Sequence, residues 1–201
     1  MWALVESNNV TQVYTRPKGL TIGEVNYPSN IFMLWSSSEL EAIGIYEIVI
    51  DNSNFKDQEY YNNTNQTFAF AEGVVTSSYG TATAKPLDNV LWTAEEEETN
   101  ANHVEGTVKK SGVRPPKLVA VDSQAGGLLQ ATDWMVVRAA EGGTAVPSDI
   151  TTWRAAVRTK ANAMQVQIGN AADIDALIAL YVYNDATPPV RPLGDFPVLG
   201  A

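Results

Sequence analysis

The stretch Leu128–Met164, LLQATDWMVVRAAEGGTAVPSDITTWRAAVRTKANAM, decides how the second half of the chain folds. It carries two of the five tryptophans and four of the thirteen basic side chains. Ile150, Trp153, Val157, Ala161, Met164 and Ile168 follow one another at steps of 3, 4, 4, 3 and 4. That spacing lines one face of an α-helix, with Arg154, Arg158 and Lys160 off the stripe. Pro147 and Ser148 mark its start, Asp149 suits the positive end of the helix dipole, and Gly169 marks its stop. A helix is therefore predicted over 149–168. Upstream of it, Thr132 and Asp133 are read as a turn held by side-chain-to-backbone hydrogen bonds. Glu141-Gly142-Gly143 is read as a flexible connection, and Trp134 and Trp153 are expected to share one small core.

Working outward from the helix, Asp173 can cap a second one over Ile174–Tyr181, with Ile174, Leu177, Ile178 and Tyr181 on one face. The link between the two, Gly169–Ala172, is short enough to predict an antiparallel helix pair. The tail from Pro188 to Pro197 holds four prolines in ten residues and can be neither a helix nor a central strand. It is read as an extended arm over 186–201, with Leu193 and Phe196 as anchors onto a neighbouring subunit.

Towards the N-terminus the pattern becomes β. Trp2–Glu6 and Val10–Tyr14 flank an Asn pair suited to a tight hairpin, and Leu20–Ile22 and Val25–Tyr27 flank Gly23-Glu24. Ser36 with Glu39 fits a capping box, so a helix of barely two turns is predicted after it. Ile45–Ile50 reads as a buried strand, and Phe68–Ala71 and Val74–Ser78 as a hairpin about Glu72-Gly73. The expected fold class is α+β: a mainly β domain over 1–94 with one short helix, a linker over 95–117, a helical domain over 118–185, and the arm. In the linker, Glu95–Glu98 is followed by Lys109, Lys110, Arg114 and Lys117. That change of sign suits either a solvated tether or docking of the acidic and basic stretches on each other or on neighbours.

Composition narrows the function classes. The chain has 201 residues, net charge −10 and no cysteine, which excludes disulfides, thiolate catalysis and Cys-based zinc sites. Residues 1–100 hold 14 acids against 4 bases, a poor surface for nucleic acid. No run approaches the roughly 18 apolar residues of a membrane span, and MWALVESNNV lacks the features of a secretory signal. The single histidine, His103, has no companions at triad or metal-ligand spacing and is expected in solvent. Asp51-Asn52-Ser53-Asn54 lacks the glycine and the distal glutamate of a calcium loop. Tyr60, Tyr61, Phe68, Phe70 and Tyr79 suit core packing or, alternatively, a sugar-stacking platform. No cofactor, no metal and no catalytic residues are expected.

The string Leu128–Met164 resembles a C-terminal segment of tailed-bacteriophage tail proteins. Leu128-Leu129, Thr132-Asp133-Trp134, Glu141, Pro147 and Arg154-Ala155-Ala156-Val157-Arg158 carry the likeness. That segment occurs in tail-fibre assembly proteins and in structural proteins of marine phages. NIFMLWSSSELEAIGI, DNSNF and YGTATAKPL, within Met1–Trp92, are similar to the first domain of marine phage virion proteins. The likeness spans roughly two thirds of the chain. One departure stands out: the family approaches the double Leu through a helical run, whereas Gly126-Gly127 stands here. At about 1 kcal/mol per Gly relative to Ala, the pair argues against a helix.

The resemblance implies a virion structural protein of the tail (baseplate, fibre or connector), made in the host bacterial cytoplasm and working through protein–protein contact rather than catalysis. The expected partners are other phage tail proteins and further copies of itself, with no nucleic acid and no membrane. Trp134, Trp153, Arg154, Arg158, Leu193 and Phe196 are the expected interface residues. A tail-fibre assembly chaperone and a glycan-binding module are the alternatives.

Overall fold

The computed structural model describes residues 1–100 and 102–200. The chain is α+β and divides into two compact units, Met1–Thr83 and Ala84–Ala201. The division falls before the expected domain end at residue 94, because the short strand at Val90–Leu91 pairs within the second unit.

Unit 1 opens with β1 (Trp2–Glu6) and β2 (Asn9–Tyr14). The turn between them uses Ser7 and Asn8, both with positive φ, the geometry whose twist matches that of a tight hairpin. Next come the hairpin of β3 (Leu20–Ile22) and β4 (Val25–Tyr27), then α1 (Ile31–Leu34) and α2 (Ser37–Ala42). The predicted capping box is formed: Ser36 Oγ accepts from Glu39 N, and Glu39 Oε2 accepts from Ser36 N at 2.8 Å. The Ser36 hydroxyl, which donates to Glu39 Oε2 at 2.7 Å, and the Ser36 amide together hold the Glu39 carboxyl below its ordinary pKa. Ile31–Leu34 forms a single turn that buries Ile31 and Phe32.

The strands β5 (Ile45–Ile50), β6 (Tyr61–Asn62), β7 (Thr67–Ala71), β8 (Val74–Ser78) and β9 (Thr83–Ala84) follow. Five strands make the main sheet in the order β2-β1-β5-β8-β7, antiparallel except for the central β5–β8 pair. Alternation splits the apolar side chains between its faces. Leu4, Tyr14 and Ile45 pack under Leu20, Phe32 and Leu40 on one face. Ala3, Ile48 and Val75 lie on the other, where the sheet curls until its edge strands β2 and β7 touch and Val13 meets the cluster that holds Phe68 and Phe70.

The join of α2 to β5 depends on Gly44. Its φ is +83°, its carbonyl accepts from Val5 N at 2.8 Å, and a Cβ there would lie 2.9 Å from Val5 O. Both the backbone angle and the space demand glycine. Gly44→Ala is expected to destabilise unit 1 by about 2–3 kcal/mol, combining left-handed strain with the forced shift of β1. Urea unfolding followed by tryptophan fluorescence checks this; an unchanged midpoint would remove the argument.

Unit 2 begins with β10 (Val90–Leu91), α3 (Ala94–Thr99) and β11 (Val108–Lys110), which pairs with β10. The expected linker is therefore structured. Thr93 and Glu96 form a second capping box, so the glutamates occupy the first turn of a helix, where its dipole favours negative charge. Glu96 also pairs with Lys109, and this bond, with the cap, lowers its carboxyl pKa. Of the two readings of the change of sign, docking of the acidic stretch on the basic one is seen, among the described residues, at a single pair, Glu96 with Lys109.

The largest correction is α4 (Arg114–Ala140), 27 residues without a break. It runs through Gly126-Gly127 and through the expected turn at Thr132-Asp133. Pro115 and Pro116 fall in its first turn, where no amide has a helical acceptor to lose. α5 (Ser148–Gly169) is close to the predicted helix and buries Ile150, Val157, Ala161, Met164 and Ile168 from the predicted stripe. Its start lacks the expected cap, since Ser148 is already helical and makes no capping bond. α6 (Ile174–Ala179) is capped by Asp173, whose Oδ1 accepts from Ala176 N at 2.7 Å. The long antiparallel pair is α4 with α5, joined by 141–147, and the expected α5–α6 hairpin is replaced by it because α6 has only six residues.

Candidate functional site

The six expected interface residues do not gather in one place. Arg154, Arg158 and Trp153 project from α5, Trp134 projects from α4, and Leu193 and Phe196 lie in the arm. Each side chain meets a different environment, and the environment decides what it can do.

Arg154 is an internal clamp. Its Nη1 donates to Leu129 O at 2.8 Å and to Thr132 Oγ1 at 2.6 Å, and Nη2 donates to Asp133 Oδ1 at 2.8 Å. Thr132 is buried and turns its own hydroxyl proton to Leu129 O. The planar guanidinium thus satisfies one turn of α4 from α5. Lower down, Gln165 donates to Asp122, which fixes the same antiparallel register. Most of the polar capacity of Arg154 is used inside the protomer, so it is unavailable as an interface anchor. Arg158 is exposed. It flanks an open hollow of about 260 Å³ with Val136, Val146, Thr151 and Arg154.

The arm is docked on its own chain, against the expectation that it grips a neighbour. Trp153 Nε1 donates to Pro197 O at 3.0 Å, Lys160 Nζ to Leu193 O at 2.7 Å, and Gln167 Nε2 to Pro192 O at 3.1 Å. The three donors stand seven residues apart on α5, two helical turns each, so they form a ladder along one face. A proline-rich segment suits such a ladder, because its carbonyls accept while its prolines need no partner for an amide. Leu193 is 2% exposed and its amide donates to Leu180 O. Phe196 is half-buried. Arg191 completes the lock, with Nη2 on Asp195 at 2.8 Å and its guanidinium over the Tyr181 and Tyr183 rings. The polar spacing of Trp153, Lys160 and Gln167 was available in the sequence, but nothing local distinguishes it from a solvated helix face.

Trp134 does not share a core with Trp153. It is 55% exposed on α4, with Arg138 stacked over its ring at 4.9 Å. Val119 and Val137 are exposed on the same helix. On unit 1, Met33 and Leu34 are 71% and 74% exposed beside Trp35, which meets Tyr27 edge-on. Exposed apolar groups of this size, clustered along a chain, mark contact surfaces more often than chance solvent exposure does.

The remaining candidates resolve into structure. His103 is half-buried and stacks on Trp92 with ring centroids 3.6 Å apart, while Lys109 lies over the same indole at 4.6 Å. It is therefore partly packed rather than standing free in solvent. Tyr60 and Tyr61 are buried, Phe68 and Phe70 pack in the sheet core, and Tyr79 meets Phe55. These rings do not make one open sugar-stacking platform. Asp51 accepts from Ser53 N at 2.9 Å, a local turn that lowers its pKa. Among the described residues no group of three or more acidic or histidine side chains could hold a metal ion, and no helix is long and apolar enough to cross a membrane.

No protein-family model, curated protein or solved structure matches the chain.

Proposed function

We propose that the protein is a structural component of a tailed-phage virion, belonging to the tail, and that it works through protein–protein contact. The sequence resemblance supplies the phage context. The observation that carries the contact role is the pair of exposed apolar surfaces on separate units, Met33-Leu34-Trp35 on one and Trp134 with Val137 on the other. A monomer has no use for either, and two neighbours in an assembly would cover them. The docked arm gives the helical unit a fixed shape before assembly, which lowers the ordering entropy lost on binding.

Quantitative peptide mass spectrometry on purified mature particles tests this, scaled to a tail protein of known copy number. A fixed stoichiometry is the expected result. Abundance in infected-cell lysate together with absence from the particle would overturn it and make the protein an assembly chaperone.

A further inference from the structure

Among the described residues, the face of α4 turned away from α5 is exposed along its length, and at one end Ala120 borders a small hollow with Tyr181, Arg191 and Leu193. Ala120, Ser123, Gly127, Gln130, Trp134 and Val137 are all exposed and follow one another at steps of 3, 4, 3, 4 and 3. That is the heptad spacing that keeps a seam facing one partner helix. None of the six is charged, in a chain of net charge −10. The charged residues of α4 are held elsewhere: Arg114 on Asp88, Lys117 over Tyr181, Asp122 on Gln165 and Asp133 on Arg154. Only Arg138 borders the seam, and it stacks on Trp134.

Gly127 is the middle residue of Arg114–Ala140. Alanine there would favour the helix by about 1 kcal/mol. A Cβ at Gly127, or at its neighbour Gly126, would meet nothing within 4 Å in this chain, and neither glycine has a positive φ. Nothing inside the protomer therefore requires glycine at this point. A second helix crossing there does, since a missing Cβ lets two backbones come nearer than the usual 8–10 Å or so between helix axes.

We infer that the exposed seam of α4 docks against the same seam of a second copy, antiparallel, about a twofold axis through Gly127. The order of side-chain sizes selects this occupant. With Gly127 on the axis, Gln130 of each copy faces Ser123 of the other, and Trp134 faces Ala120. Gln130 and Trp134 each meet a smaller side chain of the other copy, and the Ser123–Gln130 layer can hydrogen-bond. A parallel pair would instead set Trp134 on Trp134. Helix α4 is about 40 Å long and about 12 Å across, so the pair removes roughly 1,000 Å² from water, the lower bound for a specific interface. The uncharged seam keeps an acidic chain from repelling itself there. The inference does not rest on the virion reading.

The absence of cysteine allows a clean test on the full chain. Sedimentation equilibrium across the micromolar range should show a dimer. Gly127→Cys should cross-link to itself on mild oxidation. Ala120→Cys should not, because the two copies of position 120 lie about 21 Å apart along an antiparallel pair. Trp134→Ala, with helicity by circular dichroism unchanged, should raise the dimer dissociation constant by about 30-fold. A chain that stays monomeric alone would overturn the proposal and leave the face to a different virion protein. Equal cross-linking at 120 and 127, or a Trp134→Ala dimer of unchanged affinity, would overturn it as well.

Discussion

Leu193→Ala is expected to destabilise the helical unit by about 3 kcal/mol, lowering its melting temperature by roughly 10 °C. Leu193 is 2% exposed and belongs to a segment that local propensity leaves extended. Its removal deletes buried apolar surface and leaves a cavity under a stretch with no helix or sheet of its own to close it. The loss also loosens the carbonyls that Lys160 and Gln167 use, since Leu193 and Pro192 are adjacent. Truncation after Thr187 should cost more, because Trp153 Nε1, Lys160 and Gln167 then lose all three acceptors. Val198→Ala is the control: Val198 is 73% exposed and should leave the melting temperature within a degree or so. Differential scanning calorimetry of the three variants separates the two views of the arm. An arm that serves only to grip neighbours would leave the isolated protein unchanged in every case.

Arg154→Ala is expected to cost about 3 kcal/mol, measured by urea unfolding with circular dichroism at the helical band. The guanidinium satisfies Leu129 O, the hydroxyl of buried Thr132 and the Asp133 carboxylate together. Its removal takes three charge-assisted bonds from α4 at once, two of them to the partly buried Thr132–Leu129 pair, and bonds to a charged group contribute more than neutral ones. The surface term to Asp133, 55% exposed, adds little. Arg154→Lys should recover less than half the loss, because a lysine ammonium cannot span all three acceptors from one planar group. Full recovery by lysine would show that charge alone matters and that the geometry does not.

The two arginines the sequence set side by side show why its reading stopped where it did. Arg154 and Arg158 occupy one helix, four residues apart, with the same local character. One is a clamp inside the protomer and the other is free to meet a partner. The difference lies in what stands opposite, a turn of α4 more than twenty residues earlier in the chain. Trp134 has the size of a core residue, yet it is exposed. The stripe of α4 that meets α5 is made of Val121, Ala125 and Thr132, small residues that draw little notice in a sequence.

The elements that the sequence determined by itself are those that residue type and local spacing mark. The capping box at Ser36, the Asp173 cap, the hairpins about Gly23 and Glu72-Gly73, the Ile45–Ile50 strand and the α5 stripe belong here. In the caps and hairpins the stabilising partner lies close along the chain, and in the Ile45–Ile50 strand and the α5 stripe the local spacing of apolar residues marks the element although its partners lie far away. Tertiary structure alone decided the rest: the continuity of α4 across Gly126-Gly127, the folding of the Glu95–Lys117 stretch, and the docking of the proline arm. For these, local propensity is neutral or adverse by about a kilocalorie per residue. Burial against α5, the Glu96–Lys109 pair and acceptors for Trp153, Lys160 and Gln167 outweigh it, and those partners lie between thirteen and forty-four residues away.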